Sequence, residues 1–154
     1  MPSGPPLSRL DQLTIGADAQ EARRASEWLD TTCRQHGVPQ AEVDRLALCL
    51  DEALANIIDH GGKTALSEPV RVQLEVGPHE SGDMARVTVS DAGMAFDPLT
   101  APTGGPASTL DEAVPGGRGL GIIRHCSFSL DYRREDGRNH LTFGTLWTAV
   151  KPPM

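Results

Sequence analysis

Residues 46–62 read LALCLDEALANIIDHGG and say most about the fold of this chain. They form the second half of a predicted helix over about residues 40–60. At 100° per residue its apolar side chains fall on one face. These are Val43, Leu46, Ala47, Leu50, Leu54 and Ile57. Glu52, Asn56 and His60 follow at intervals of four and form a separate polar stripe, and two glycines end the helix.

An earlier helix is indicated by its start and stop signals. Asp18 and Glu21 have the spacing of an N-terminal capping box, and Gly37 stands where a helix ends. A short first strand is predicted upstream, at residues 10–15.

Alternating patterns predict four strands after the long helix. Residues 70–76 and 85–91 alternate between apolar and polar side chains, and residues 128–132 and 141–150 form two further strands around an Asp136-Gly137 turn. Asp91 is in phase with the inward-facing valines of its strand. A carboxylate facing inward needs a hydrogen-bonding partner, because burying it alone is unfavourable.

The order of these elements predicts the fold class. Strands joined by short turns pair antiparallel, and the helices have one sheet face to cover. We therefore expect an α+β, two-layer α/β sandwich whose sheet is mixed but mostly antiparallel. Residues 1–9 form a flexible tail, residues 10–150 form one domain, and residues 97–119, rich in Pro, Gly, Ser and Thr, form a lid.

Composition excludes several classes of function. A net charge of −7 argues against a nucleic-acid surface, which needs clustered Lys and Arg. Three cysteines without a paired motif indicate reduced thiols in a cytoplasmic protein, and neither a signal peptide nor a membrane span is apparent. The five histidines do not cluster with cysteines at the spacing of a zinc site.

Two glycine-bearing segments follow the polar helix in a fixed order. Residues 91–98 read DAGMAFDP, and residues 116–123 read GGRGLGII. Together with Glu52 and Asn56 they resemble the N, G1 and G2 boxes of the gyrase/Hsp90/histidine-kinase/MutL ATPase superfamily, and hence its Bergerat-type (histidine-kinase-like ATPase) fold. Within it, the chain is most similar to the anti-sigma-factor serine/threonine kinases (RsbW-like) of bacterial partner-switching systems.

The resemblance implies a role for each of these residues. Glu52 is the general base, and Asn56 supplies the oxygen ligand that Mg²⁺ prefers. Asp91 accepts a hydrogen bond from the adenine amine of ATP, and Gly93 lets the backbone approach the base. The chain departs from the family at Ala95, where a second glycine is common.

The phosphate and partner contacts are implied in the same way. Backbone N–H groups before a helix suit phosphate, and the nucleotide-binding residues of this turn are Gly117, Arg118, Gly119, Leu120 and Gly121. Arg23 lies where the first helix of the family meets its protein partner. His60 is interpreted as a packing residue at the helix end.

Several functions fit these patterns. The resemblance favours an ATP·Mg²⁺-dependent protein-serine kinase that holds a sigma factor or similar client and phosphorylates a serine of a small antagonist protein, with a homodimer left open. The alternative is a non-catalytic, nucleotide-dependent sequestering module, which has no need of the base Glu52. The catalytic part of a histidine kinase would need a preceding phospho-acceptor helix pair, and an ATP hydrolase would need a further domain to drive. The sequence offers room for neither.

Overall fold

The computed structural model describes residues 9–60, 62–79, 82–95 and 129–148 as five strands and three helices. In chain order these are β1 (Arg9–Ile15), α1 (Ala19–Gln35), α2 (Gln40–His60), α3 (Gly62–Ser67), β2 (Val70–His79), β3 (Gly82–Asp91), β4 (Ser129–Glu135) and β5 (Arg138–Trp147). The strands form one sheet in the order β1-β2-β3-β5-β4, and its four pairings are antiparallel. The predicted lid, and the predicted tail apart from Arg9, lie outside the described residues.

Helix α1 begins with the predicted cap. The Glu21 backbone N–H donates to the Asp18 carboxylate at 2.8 Å, which satisfies one of the free donors at the helix start. The second half of the box differs from expectation. The Glu21 carboxylate accepts from the Gly16 N–H at 3.1 Å and from Arg24, and so ties the end of β1 to the first turn of α1.

The helices cover one face of the sheet. Alternate residues of β2 and β3 pack beneath α1 and α2, together with Phe143 of β5, which is completely buried. The other face carries polar side chains such as Arg71, Thr88 and His140. This arrangement is the predicted two-layer α+β sandwich, with helices on one side of an antiparallel sheet.

Helix α2 matches its predicted span, but the chain that follows it differs from the prediction. The helix spans the predicted residues, and its apolar face is buried at Val43, Leu46, Leu50 and Leu54. The chain was expected to leave helical structure after His60. Instead, Gly62 takes a positive φ of 75° and begins the short helix α3, which the sequence pattern did not indicate.

The β4–β5 hairpin turns at the predicted dipeptide. Asp136 and Gly137 both have positive φ, 54° and 74°, as the central residues of a type I′ turn require. This turn sets the register between β4 and β5. Cys33 and Cys49 are both buried. No helix in the described ranges has the length and apolar character needed to cross a bilayer.

The Glu21 contacts predict a pH dependence of stability. Hydrogen bonds from Arg24 and the Gly16 N–H lower the pKa of Glu21 from 4.5 to about 2. Its stabilising effect is therefore complete above pH 4.5 and is lost as the pH falls toward 2. In Glu21→Gln, the melting temperature should fall less steeply over this pH range than in the wild type. Glu27→Gln, an exposed change on the same helix, is the control, and an equal slope in all three proteins would contradict the assignment.

Candidate active site

A row of polar residues ends the core face of the sheet. Val89 of β3 pairs with Leu141 of β5, and Leu141 pairs with Tyr132 of β4. One row further along the same face, Asp91 pairs with Asn139, and Asn139 pairs with Arg134. Three neighbouring strands thus change from apolar to polar at one edge of the core. That change marks a site, because buried polar groups are otherwise avoided there.

Asp91 is the centre of this row. Its side chain faces the helical layer and is 5% exposed, as its phase in the strand predicted. Its Oδ1 accepts from the Gly93 N–H at 2.8 Å and from Asn139 Nδ2 at 3.2 Å. Both hydrogen bonds go to the same oxygen, Oδ1.

The β4–β5 hairpin holds the turn that follows Asp91. Arg134 donates to the Gly93 carbonyl oxygen at 2.7 Å, and Asn139 Nδ2 donates to the Met94 carbonyl oxygen at 2.8 Å. These bonds fix the backbone at the glycine that was predicted to approach the base. Ala95, the departure from the family pattern, is exposed just beyond it.

The three residues of the predicted polar stripe on α2 differ in their exposure to solvent. Asn56 is 8% exposed, Glu52 is half-buried, and His60 is exposed at the helix end, so a packing role for His60 is not apparent. Asp51 takes a different direction. It bonds to Ser26 of α1, and desolvation against that helix raises the pKa of its carboxyl. Asp51 therefore does not share the surface of Glu52, because successive residues of a helix differ by about 100° in direction.

Contacts at both ends of α2 place Asn56 near Asp91. At one end Glu42 accepts a hydrogen bond from Thr145 of β5. Asn56 lies about 21 Å along α2 from Glu42, and Asn139 lies about 20 Å along β5 from Thr145, in the same direction. At the other end, a Cβ added to Gly62 would lie 3.6 Å from the Met94 sulfur. The polar stripe and the polar row therefore meet at one edge of the two layers.

Arg23 lies on a different surface from this site. It is exposed on α1 and lines a groove of about 350 Å³ between α1 and α2. The other lining residues are small, apolar or acidic: Ala19, Ala22, Ser26, Asp51, Ala55 and Ile58.

The predicted phosphate turn cannot be compared with these positions. Gly117, Arg118, Gly119, Leu120 and Gly121 lie outside the described residues. The described part contains no cluster of three or more His, Cys, Asp or Glu side chains able to hold a metal. A Mg²⁺ ion would fit a site of few protein ligands, such as the Asn56 amide oxygen beside nucleotide phosphates.

Sequence reasoning missed the residues that hold Asp91 in place. Asn139 is in phase with Leu141 and Phe143 of its strand, and Arg134 is in phase with Tyr132. Their inward direction could have been found from that alternation, as it was for Asp91. Which of them opposes Asp91 depends on the strand pairing, which the sequence does not state.

Comparison with known proteins places this geometry in a family. A family model described as the histidine kinase-like ATPase domain matches residues 15–145. The chain belongs to this family. Serine/threonine-protein kinase BtrW of Bordetella bronchiseptica is 34% identical over 135 residues, which cover 88% of this chain and 92% of BtrW. The relationship confirms the predicted family and its enzyme class, and ATP as the nucleotide follows from membership of an ATPase family.

Solved structures agree on the fold. A structure of the RsbU and RsbW domains of Rv1364c from Mycobacterium tuberculosis matches 90% of this chain with a TM-score of 0.61 and 14% identity, over 32% of that longer chain. The SiaB–SiaC complex from Pseudomonas aeruginosa contains a chain that matches with a TM-score of 0.52 and 11% identity, with 89% of each chain covered. The predicted histidine-kinase-like α+β fold is thereby confirmed.

Proposed function

We propose that this chain is a cytoplasmic protein-serine kinase of the partner-switching type. It binds ATP with Mg²⁺, phosphorylates a serine of a small antagonist protein, and in its other state holds a sigma factor or similar client. The observation that carries the proposal is the buried Asp91 carboxylate, at the edge of the sheet toward which the Asn56 end of α2 is directed. The kinship with BtrW supports the same chemistry.

Asp91 is assigned to the adenine base. A carboxylate that is 5% exposed and has one oxygen occupied can accept a hydrogen bond from an exocyclic amine within a desolvated pocket. Gly93 follows at the same turn, and its carbonyl is held by Arg134, so the backbone there is already ordered. This combination is suited to accept a hydrogen bond from an amino group held in a fixed position.

Glu52 and Asn56 are assigned to the transfer itself. Phosphoryl transfer depends mainly on positioning and on stabilising charge, and needs one base for the attacking hydroxyl. Glu52 takes the proton of the partner serine while the serine oxygen bonds to the γ-phosphorus. The bond from that phosphorus to the β–γ bridging oxygen breaks, and ADP leaves. Asn56 holds Mg²⁺, which neutralises charge on the phosphates when bound.

The phosphates are assigned to the glycine-rich turn. Gly117, Gly119 and Gly121 offer backbone N–H groups, and Leu120 belongs to the same turn. Arg118 adds a positive charge. In this proposal the surrounding residues 97–119 close over the nucleotide as a lid.

The antagonist is assigned to the groove between α1 and α2. Arg23 is an exposed cation at the edge of a surface made of small side chains, which allows a partner helix or loop to approach closely. Asp51 adds a carboxyl group on the opposite wall, and its raised pKa reflects partial desolvation there. The α2 side of the groove lies about 100° around the helix from Glu52. In this proposal a segment of the docked partner extends beyond the groove and brings its serine to the base.

The first test of this function is nucleotide binding. Asp91→Asn should weaken ATP binding by roughly 1.5–3 kcal/mol, the scale for a hydrogen bond to a charged group. Isothermal titration calorimetry with ATP and Mg²⁺ measures the change, and Asp83→Asn at the opposite end of β3 should bind as the wild type does. A wild-type protein that gives no heat with ATP or ADP, with or without Mg²⁺, would refute the proposal.

The second test separates a kinase from a sequestering module. Glu52→Gln should keep ATP affinity and lower the rate of transfer to the antagonist serine by about 10²–10⁴-fold, because the amide cannot accept the proton. Asn56→Ala should lose both Mg²⁺-dependent binding and transfer. Transfer is followed with radiolabelled ATP and the cognate antagonist, and Asp44→Asn on the same helix serves as the control.

The outcomes of this test are distinct. Transfer by Glu52→Gln at the wild-type rate would show that Glu52 is not the base. If the wild type binds its partner tightly in ATP but transfers nothing to it, the protein is a sequestering module.

The third test concerns partner recognition. Arg23→Ala should weaken antagonist binding by about 10-fold or more, the effect of truncating an interface arginine that carries binding energy. ATP affinity should not change, because the groove and the nucleotide edge are separate. Surface plasmon resonance measures the partner affinity, with Arg34→Ala near the end of the same helix as the control. Equal partner affinity in the Arg23 variant and the control would place the antagonist elsewhere.

A further inference from the structure

The side chain of Asn139 is fixed by four hydrogen bonds in the polar row. Its Oδ1 accepts from the Tyr132 hydroxyl at 2.5 Å and from Arg134 at 3.1 Å. Its Nδ2 donates to Asp91 Oδ1 at 3.2 Å and to the Met94 carbonyl oxygen at 2.8 Å. Asn139 is 6% exposed; its bond to Asp91 is buried, and the other three are partly buried.

This network permits one orientation of the Asn139 amide. Arg134 can only donate and the Met94 carbonyl can only accept, so exchanging the amide oxygen and nitrogen would oppose like groups on both sides. The amide nitrogen is thereby fixed on Asp91 Oδ1. Oδ1 of the Asp91 carboxylate is bonded within the protein by two donors, the Gly93 N–H and Asn139 Nδ2. Two donors on one oxygen restrict the rotation of the carboxylate.

We propose that Asn139 is a positioning residue that sets the purine selectivity of the kinase. Asn139 acts through Asp91: by holding Oδ1, it directs Oδ2 at the 6-amino group of the purine. Tyr132 acts indirectly, because its hydroxyl orients the amide of Asn139. This inference rests on the proposed ATP site and adds residues to which neither the predicted boxes nor the comparisons give a role. The ligand class that follows is a 6-aminopurine nucleotide, discriminated from a 6-oxopurine nucleotide.

The chemistry of selectivity explains why a fixed carboxylate matters. Inosine triphosphate carries an oxygen in place of the 6-amino group and would oppose Asp91 with a second acceptor. A site that is preorganised to hydrogen-bond a substrate group rejects the analogue lacking it, because its own buried group is left unpaired. A carboxylate that can rotate turns away from the 6-oxo group and loses this rejection.

The experiment compares ATP and inosine triphosphate in the full chain. The wild type should prefer ATP by at least about 10-fold in Kd. Asn139→Ala should weaken ATP binding by roughly 5–10-fold and change inosine triphosphate binding by less than about 2-fold, so that the selectivity ratio collapses. Tyr132→Phe should shift the ratio in the same direction by a smaller factor.

Two variants keep the test independent of folding. Tyr132→Phe removes only the hydroxyl that bonds to Asn139 Oδ1, and it should lower the ratio even where the alanine variant is unstable. Thr142→Val lies on the same strand and removes a hydroxyl contact with Thr88 on the opposite face of the sheet. It should leave the ratio at the wild-type value.

The outcomes distinguish this inference from the function on which it rests. A wild type that binds neither nucleotide overturns both. A wild type that prefers ATP, with an Asn139→Ala variant of unchanged ratio, overturns the positioning role alone. Equal weakening of both nucleotides would show that Asn139 only stabilises the fold, and would also overturn it.

Discussion

The register of the antiparallel sheet is the constraint on which the site depends. In this register the two inward rows that contain Val87 and Val89 of β3 are apolar on β5 as well, and in the next row Asp91, Asn139 and Arg134 lie side by side. A slip of one residue would turn the Asp91 carboxylate to the outer face and expose the valines before it. The Asp136-Gly137 turn and the apolar pairs beneath α2 prevent that slip, so the same packing that forms the core also positions the carboxylate.

Local patterns were enough to predict most of the fold. The cap at Asp18, the apolar face of α2 and the alternation before Asp91 each follow from neighbouring residues, and each is observed. Helix α3 was missed because two adjacent glycines normally end a helix. Here α2 does end, but Gly62, which has a positive φ, begins a second helix at once. The partners of Asp91 were missed for another reason. Asn139 is 48 residues away along the chain, and only the strand pairing brings it to Asp91.

The proposed nucleotide site lies between the sheet and helix α2. The spacing of these two layers is set by contacts outside the site. In the proposed function the sheet supplies the carboxylate for the base, and α2 supplies the amide and the carboxylate for metal and proton transfer. Thr145 of β5 contacts Glu42 near the start of α2, and Met94 lies beside Gly62, just after the end of α2. Because well-packed cores resist sliding, this packing keeps the proposed groups at a set separation without direct contact between them.

Helix α2 also connects the proposed partner groove with the proposed chemistry. Asp51 and Ala55 face the groove, and the residue after each of them, Glu52 and Asn56, belongs to the polar stripe. Successive residues of a helix differ by 100° in direction, so one rigid helix presents both surfaces. In the proposed function, a protein docked between α1 and α2 contacts the helix to which the base and the metal ligand are assigned. The two proposed surfaces are separate, but they share this one helix.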